Sequence, residues 1–237
     1  FVTLLFALVG GMLAGLVTGW LHTKLMIPAI LAGILTMIAL WSVNIRVMGG
    51  PNVSLLGEDT AFTKLMDLLG VDQTLATLVV GVIIGIIVIA ALYWFFGTEI
   101  GCALRATGNN EFMVRALGGN TDTSKVLGLV ISNGLISVSG ALVAQNQGYG
   151  DIKMGTGSIV IGLASIVIGE VIFGKRFNFA YILASLIGGA MVYRMIISLV
   201  LHFGLSTDDM KLFTAIIVAL ALGIPALKSK YSHRRTP

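Results

Sequence analysis

Apolar runs recur along the chain at residues 1–20, 25–45, 74–96, 126–147, 179–201 and 212–227. Each is of a length to cross a bilayer, since about 20 residues at 1.5 Å rise cover the roughly 30 Å hydrocarbon core. A shorter run, 158–173, reaches about 24 Å as a helix, and counting it predicts about seven transmembrane segments. Between the runs lie a turn at 22–24, a long loop at 46–73, a polar loop at 97–125, and short turns around 148–157, 174–178 and 203–211. A basic tail follows from Lys228 to Pro237. The pattern predicts an all-α, polytopic helical bundle forming a single transmembrane domain over 1–237.

Composition agrees that lipid is the solvent. Of 237 residues, 57% are hydrophobic and only 11% charged, against about 25% charged in soluble domains. Glycine supplies 30 residues, an excess that lets membrane helices approach closely. The single cysteine, Cys102, excludes an intrachain disulfide, and no metal-ligand spacing surrounds it, so no metal is expected. No basic run is interleaved with aromatics, which argues against a nucleic-acid partner.

Lysine and arginine set the orientation. Placing the 22–24 turn, the 97–125 loop, the 174–178 turn and the tail together gathers Lys24, Arg105, Arg115, Lys125, Lys175, Arg176, Lys228, Lys230, Arg234 and Arg235. The opposite side holds Arg46, Lys64, Lys153 and Lys211, and collects Glu58, Asp59, Asp67, Asp72, Asp151, Asp208 and Asp209. The first side is therefore expected to be cytoplasmic. The alternation closes when 158–173 counts as a crossing, and it puts Phe1 outside. Phe1 stands in an apolar run with no basic stretch before it, unlike a secretory signal. At least one earlier helix is expected to precede it.

The loop 97–125 carries a helix of its own. Asn110 suits an N-cap, Glu111 the positive end of a helix and Arg115 its last turn, and Gly118-Gly119 stops it. A short helix over 111–117 results, with Phe112, Met113, Ala116 and Leu117 on one face. Spacing alone fits two roles equally: docking a protein partner, or lying on lipid headgroups.

Within this loop the run Gly-Cys-Ala-Leu-Arg-Ala-Thr-Gly-Asn-Asn at 101–110, followed by Val-Arg-Ala-Leu-Gly-Gly-Asn at 114–120, resembles the coupling loop of ABC importer permeases of the branched-chain amino acid and ribose type. The resemblance continues through 124–144, 161–175, 22–57 and 212–225, and so covers most of the chain. Within the group it is greatest to permeases that work beside tryptophan- or tyrosine-type binding proteins. It implies a second permease copy in a homodimer, two cytoplasmic ABC ATPase subunits and an extracellular solute-binding protein. It also implies import of a small solute, an amino acid and by its nearest likeness an aromatic one. By this match residues 110–118 form a coupling helix seated in a groove of the ATPase. Arg105, Asn109, Asn110, Glu111 and Arg115 surround an apolar plug of Phe112 and Met113, with Leu117 and Gly118 closing the helix. The chain has no G-x-x-x-x-G-K-[ST] phosphate loop. It is therefore expected not to be an enzyme and to need no cofactor, with ATP bound by the partner subunit.

Polar groups inside the spans are the candidates for a solute route. Asn133 and Ser137 are i, i+4 neighbours on segment 126–147, which ends in Gln145-Asn146-Gln147. That stripe fits a pathway wall and interhelical hydrogen bonding equally. The Gly-rich stretch 148–157 leading into 158–173 resembles the broken helices that transporters place beside solute routes. Tyr149 fits that route or an interfacial anchor. Glu170 and Arg194 are the ionisable residues within spans. Glu170, with Lys175 or Arg176 as partner, is read as a gate or packing anchor rather than a proton carrier. An arginine at such depth carries an insertion penalty of about 2.5–3.5 kcal/mol, so Arg194 should face protein or water. It is expected to hold a dimer or helix interface rather than to bind solute.

Other classes meet difficulties. An ion-coupled secondary transporter needs coupling groups near the midplane, where only Glu170 and Arg194 are available. A membrane enzyme needs clustered His, Asp or Glu, and His22, His202 and His233 lie far apart at segment ends. A sugar or nucleoside importer of the same superfamily remains an alternative, since the loop pattern does not name the solute.

Overall fold

The computed structural model of the chain describes residues 2–55, 57–58, 60, 62–63, 66, 70, 72–155, 158–173, 179–202, 216 and 219. Residue contacts divide the chain into two units, Phe1–Met154 and Gly155–Pro237.

In the first unit, α1 (Val2–Lys24), α2 (Ala29–Met48), α3 (Gln73–Gly97) and α6 (Thr121–Gln147) are each long and apolar enough to cross a membrane. Two short helices, α4 (Glu99–Asn109) and α5 (Glu111–Ala116), lie between α3 and α6. The second unit contains α7 (Ser158–Phe173) and α8 (Phe179–His202). Helix α8 supplies the fifth span of sufficient length, whereas the apolar part of α7 is shorter, Ile161–Phe173. The all-α bundle expected from the sequence is thus observed, and the expected segment 212–227 lies outside the described residues apart from Ile216 and Ala219. The same holds for residues 61, 64–65 and 67–69 of the long loop 46–73. Of it, Thr60 and Thr63 bond reciprocally, each backbone N–H donating to the other's hydroxyl (2.8 and 3.1 Å), as at a helix start.

The hydrocarbon-facing character is plain from exposure. Phe6, Ile30 and Trp94 lie open on the outer faces, and α3 buries only Ala76. In lipid, helices gain little from burying one apolar surface on another, so close backbone approach decides what packs. Helix α1 carries Gly11, Gly15 and Gly19 at four-residue spacing, all buried and all against α6. A β-carbon built on Gly11 would sit 2.5 Å from Ser137 Cβ, one on Gly15 2.8 Å from Val130 Cα, and one on Gly19 3.0 Å from Val126 Cα. The order shows that α1 and α6 run antiparallel. Thr18 on α1 donates to Thr36 on α2 (2.9 Å), joining those two helices by one hydroxyl pair. In the second unit Gly169 of α7 meets Ser185 and Gly189 of α8, above a cluster of Ala164, Ile168, Tyr193 and Ile197.

Turns follow local chemistry. Between α1 and α2, His22 Nδ1 donates to the Ile27 carbonyl (2.7 Å), and Met26 takes a left-handed φ of 55°. At the other end of the bundle, α2 stops at Gly49 (φ 71°) and α6 at Gly148 (φ 75°). Two three-residue strands, β1 (Asn52–Ser54) and β2 (Tyr149–Asp151), then pair antiparallel with Val53 opposite Gly150. The sequence pattern did not predict this ribbon. Asn146 completes that end, accepting from Thr77 Oγ1 (2.7 Å) and, through its carbonyl, from Gln73 Nε2 (3.3 Å) of α3.

Candidate functional site

The segment expected to be a polar loop with one short helix is helical through most of its length. Thr98 ends α3 and starts α4. Its hydroxyl donates to the Phe95 carbonyl (2.6 Å) and accepts from the Gly101 amide (3.2 Å). Gly101 is required there, because a β-carbon would sit 2.6 Å from Phe96 Cα. Helix α4 rests on α6 through Leu104, whose Cδ1 would lie 3.3 Å from a β-carbon on Gly128. Asn110 repeats the device: its amide N–H closes α4 on Ala106 (2.9 Å), and its side chain caps α5 by accepting from the Met113 amide (3.1 Å). Gly118 (φ 81°) terminates the last turn, and Gly119 N–H bonds back to the Val114 carbonyl (2.9 Å). Asn120 then caps α6 by accepting from Asp122 and Thr123 (3.1 and 3.2 Å).

These caps place α5 across the first turn of α6, where Glu111 becomes a hub. Its Oε1 receives Lys125 Nζ (2.7 Å), Arg115 Nη2 (2.8 Å) and Thr121 Oγ1 (3.2 Å). Arg115 also donates to Thr121 Oγ1 (2.7 Å) and to Asp122 Oδ1 (3.1 Å). Thr121 is buried at the centre. The hydrogen bond from Lys125, reinforced by the charges of Lys125 and Arg115, holds the Glu111 carboxyl below its ordinary pKa of 4.5. A lowered carboxyl pKa contributes stability above the ordinary value and loses it as pH falls through the folded value. We therefore expect the protection of amides 111–119, measured against the intrinsic exchange rate at each pH, to fall as pH drops below about 4.5. Glu111→Gln should exchange several-fold faster at neutral pH and lose that acid dependence, while α1 and the core of α6 keep their protection. Unchanged exchange over 111–119 in the variant would mean that the hub does not hold the helix.

With Val114 buried inward, α5 turns Phe112 (84% exposed), Leu117 (79%) and Met113 (50%) outward. The expected site residues therefore divide by role. Phe112, Met113 and Leu117 form the free apolar face, whereas Glu111 and Arg115 are engaged with α6 as its brace. Arg105 and Asn109 are exposed on α4 and line an open depression with Cys102 and Ala106. The sequence reading did not single out Thr121, Asp122 and Lys125 as members of the site. The Asn120 cap and the Glu111–Arg115 spacing were the available signals.

Within the first unit, the expected pathway residues are spread along α6 and into β2. Asn133 and Ser137 lie on the α6 face that meets Gly11 of α1, and the Asn133 amide donates to its own helix at Leu129 (2.9 Å). Gln145 is half-buried near the far end of α6, and Tyr149 is exposed in β2, paired with Ser54. Glu170 is half-buried in α7 of the second unit, and its expected partners Lys175 and Arg176 lie outside the described residues. Among the described residues no group of His, Cys, Asp or Glu is placed to hold a metal ion.

Comparison with known proteins agrees with this architecture. The chain is 38% identical over 217 residues to a tyrosine transport system permease protein of Clostridioides difficile (strain R20291), covering 92% of this chain and 70% of that one. It is 33% identical to an uncharacterized protein of Rickettsia prowazekii (strain Madrid E), over 94% of this chain and 78% of that one. The autoinducer 2 import system permease protein LsrC of Yersinia pseudotuberculosis (serotype O:1b) is 29% identical over 146 residues, 61% of this chain and 40% of that protein. No solved structure matches. The family profile for the permease component of branched-chain amino acid transport systems matches residues 1–224. The chain is a multi-pass protein of the bacterial plasma membrane and belongs to the branched-chain amino acid transport system permease family.

Proposed function

We propose that this chain is the membrane-spanning subunit of an ATP-driven importer of an amino acid. Two copies assemble with cytoplasmic ABC ATPase subunits and receive solute from an extracellular binding protein. The observation that carries the reading is α5. It is a capped, ion-paired helix of six residues, fixed between two membrane spans, that presents Phe112, Met113 and Leu117 to solvent. Such a face fits an apolar groove on a partner. The charge distribution supports a cytoplasmic position: among the described residues of the first unit, Lys24, Arg105, Arg115 and Lys125 share the α4–α5 end, against Arg46 and Lys153 at the ribbon end. The likeness to a tyrosine transport permease supports an amino acid as solute. A sugar-like solute is the second reading, favoured by the likeness to an autoinducer 2 import permease. Reconstituted with its ATPase and binding protein in proteoliposomes, the complex should take up labelled amino acid only with ATP. Uptake should survive collapse of proton and sodium gradients. Ion-driven uptake without the ATPase would make the chain a secondary transporter instead.

A further inference from the structure

Helix α8 buries Ser185, Gly189, Tyr193 and Ile197 on one face. Away from that face run Arg194, Ser198 and His202, spaced i, i+4, i+8 and all exposed. Ser198 and His202 line an open groove with Met195 and Leu199. The stripe leads from the helix end at His202 inward to Arg194, about 12 Å along the axis. An arginine is always charged, and at this depth it needs an anion or water. Arg194 has no ion-pair partner among the described residues.

The described acid within a membrane helix does not supply one. Gly169 of α7 lies level with Ser185 and Gly189 of α8. Its neighbour Glu170 is therefore about 10 Å from Arg194 along the membrane normal. In a homodimer with its two-fold axis along that normal, depths are unchanged, so the second copy's Glu170 misses Arg194 as well. Lipid phosphate is poorly placed too. Side chains leave a helix tilted toward its N-terminus, and for Arg194 that direction points deeper, away from the nearer headgroups. A guanidinium at the inner end of a polar stripe is shaped for a planar, two-oxygen anion.

We propose that Arg194 binds the carboxylate of the amino-acid solute midway along its route, with Ser198 and His202 forming the wet track that leads to it from outside. This rests on the amino-acid importer reading above. It also departs from the sequence expectation, which assigned Arg194 to a dimer or helix interface.

The test uses the whole complex in proteoliposomes, with a labelled mixture of the proteinogenic amino acids and a parent chain in which the single cysteine is removed by Cys102→Ser. No ATP-dependent uptake by the unaltered complex would sink the importer reading, and this inference with it; uptake by the parent is measured beside it and sets the reference for the variant. In a transporting parent, Arg194→Cys should lower uptake at least tenfold, with the melting temperature and binding-protein docking unchanged. Aminoethyl methanethiosulfonate applied from outside should modify the introduced thiol and, by restoring a positive charge, recover at least a third of the uptake. The neutral methyl reagent should recover none. Unchanged uptake in the cysteine variant would overturn the proposal. Early melting or loss of assembly would assign Arg194 a structural counter-charge instead, and a thiol unreactive to the aqueous reagent would place it in lipid.

Discussion

Substituting aspartate for both Phe112 and Met113 is expected to release the ATPase from a permease that still folds. Phe112 is largely exposed and Met113 half-exposed, so charging them disturbs little internal packing. They also occupy the first turn of α5, where acidic residues interact favourably with the helix dipole. In the assembled transporter the same positions would be covered. An aromatic anchor removed from a desolvated groove commonly costs about 2–4 kcal/mol, and each 1.4 kcal/mol is about tenfold in affinity. The double variant should therefore lose at least 100-fold in ATPase affinity by pull-down or titration, and ATP-driven uptake should disappear. Leu117→Asp should weaken the same contact. Full ATPase retention, with weaker attachment of α4 and α5 to anionic vesicles instead, would return α5 to the alternative role of lying on headgroups.

Gly15→Ala is expected to be among the most damaging one-carbon changes in the first unit. The added β-carbon would meet the Leu129 carbonyl and lie 2.8 Å from Val130 Cα, both backbone atoms that cannot rotate away. The helices must separate along the whole α1–α6 seam, and overpacking of this kind commonly costs about 1–3 kcal/mol. Gly10→Ala, five residues earlier, is the control: nothing lies within 4 Å of its β-carbon, and alanine is worth about 0.5–1 kcal/mol over glycine in a helix interior. Thermal unfolding in detergent should thus drop by several degrees for Gly15→Ala and hold or rise for Gly10→Ala. Equal melting of the two would mean that close α1–α6 approach does not stabilise the bundle. Ser137→Leu crowds the same seam at Gly11 and should behave like Gly15→Ala, with transport falling in proportion to the folded fraction.

How much of this could be read from the chain depends on which force shaped each part. The long helices are set by hydropathy, and their spans match the apolar runs to within a few residues. Helix α6 is the largest exception. It begins at Thr121 rather than 126 because its first turn is polar, carrying Asp122, Ser124 and Lys125 out of the apolar region. Helix α4 was missed for the same reason. Its charges and glycines hide it from hydropathy, although Thr98-Glu99 is a recognisable start. Helix α5 was legible because its signals are local: an Asn cap, an acid first, a base last, and two glycines after. The hub around Glu111 was legible only in its i, i+4 half, since Thr121 and Lys125 reach it through a turn whose geometry no short pattern encodes. Glycine abundance foretold close helix contact but not the partner of the Gly11, Gly15 and Gly19 stripe. That stripe bears on Asn133 and Ser137, which sequence left divided between pathway and packing and which sit against α1.

The brace on Glu111 has a mechanical consequence. Because α5 is pinned to the first turn of α6 by ion pairs rather than joined through a slack linker, a displacement of α5 is handed to α6 as a torque. Helix α6 has 27 residues and is unbroken, which makes it a rod about 40 Å long. Turned by about 5° around its near end, such a rod sweeps its far tip through about 3.5 Å. At that tip Asn146 holds Gln73 and Thr77 of α3 by single hydrogen bonds of 3.3 and 2.7 Å, and a bond of that kind does not survive an extra displacement of about 3.5 Å. A small push on the braced end is therefore enough to part α3 from α6 at the opposite face of the membrane.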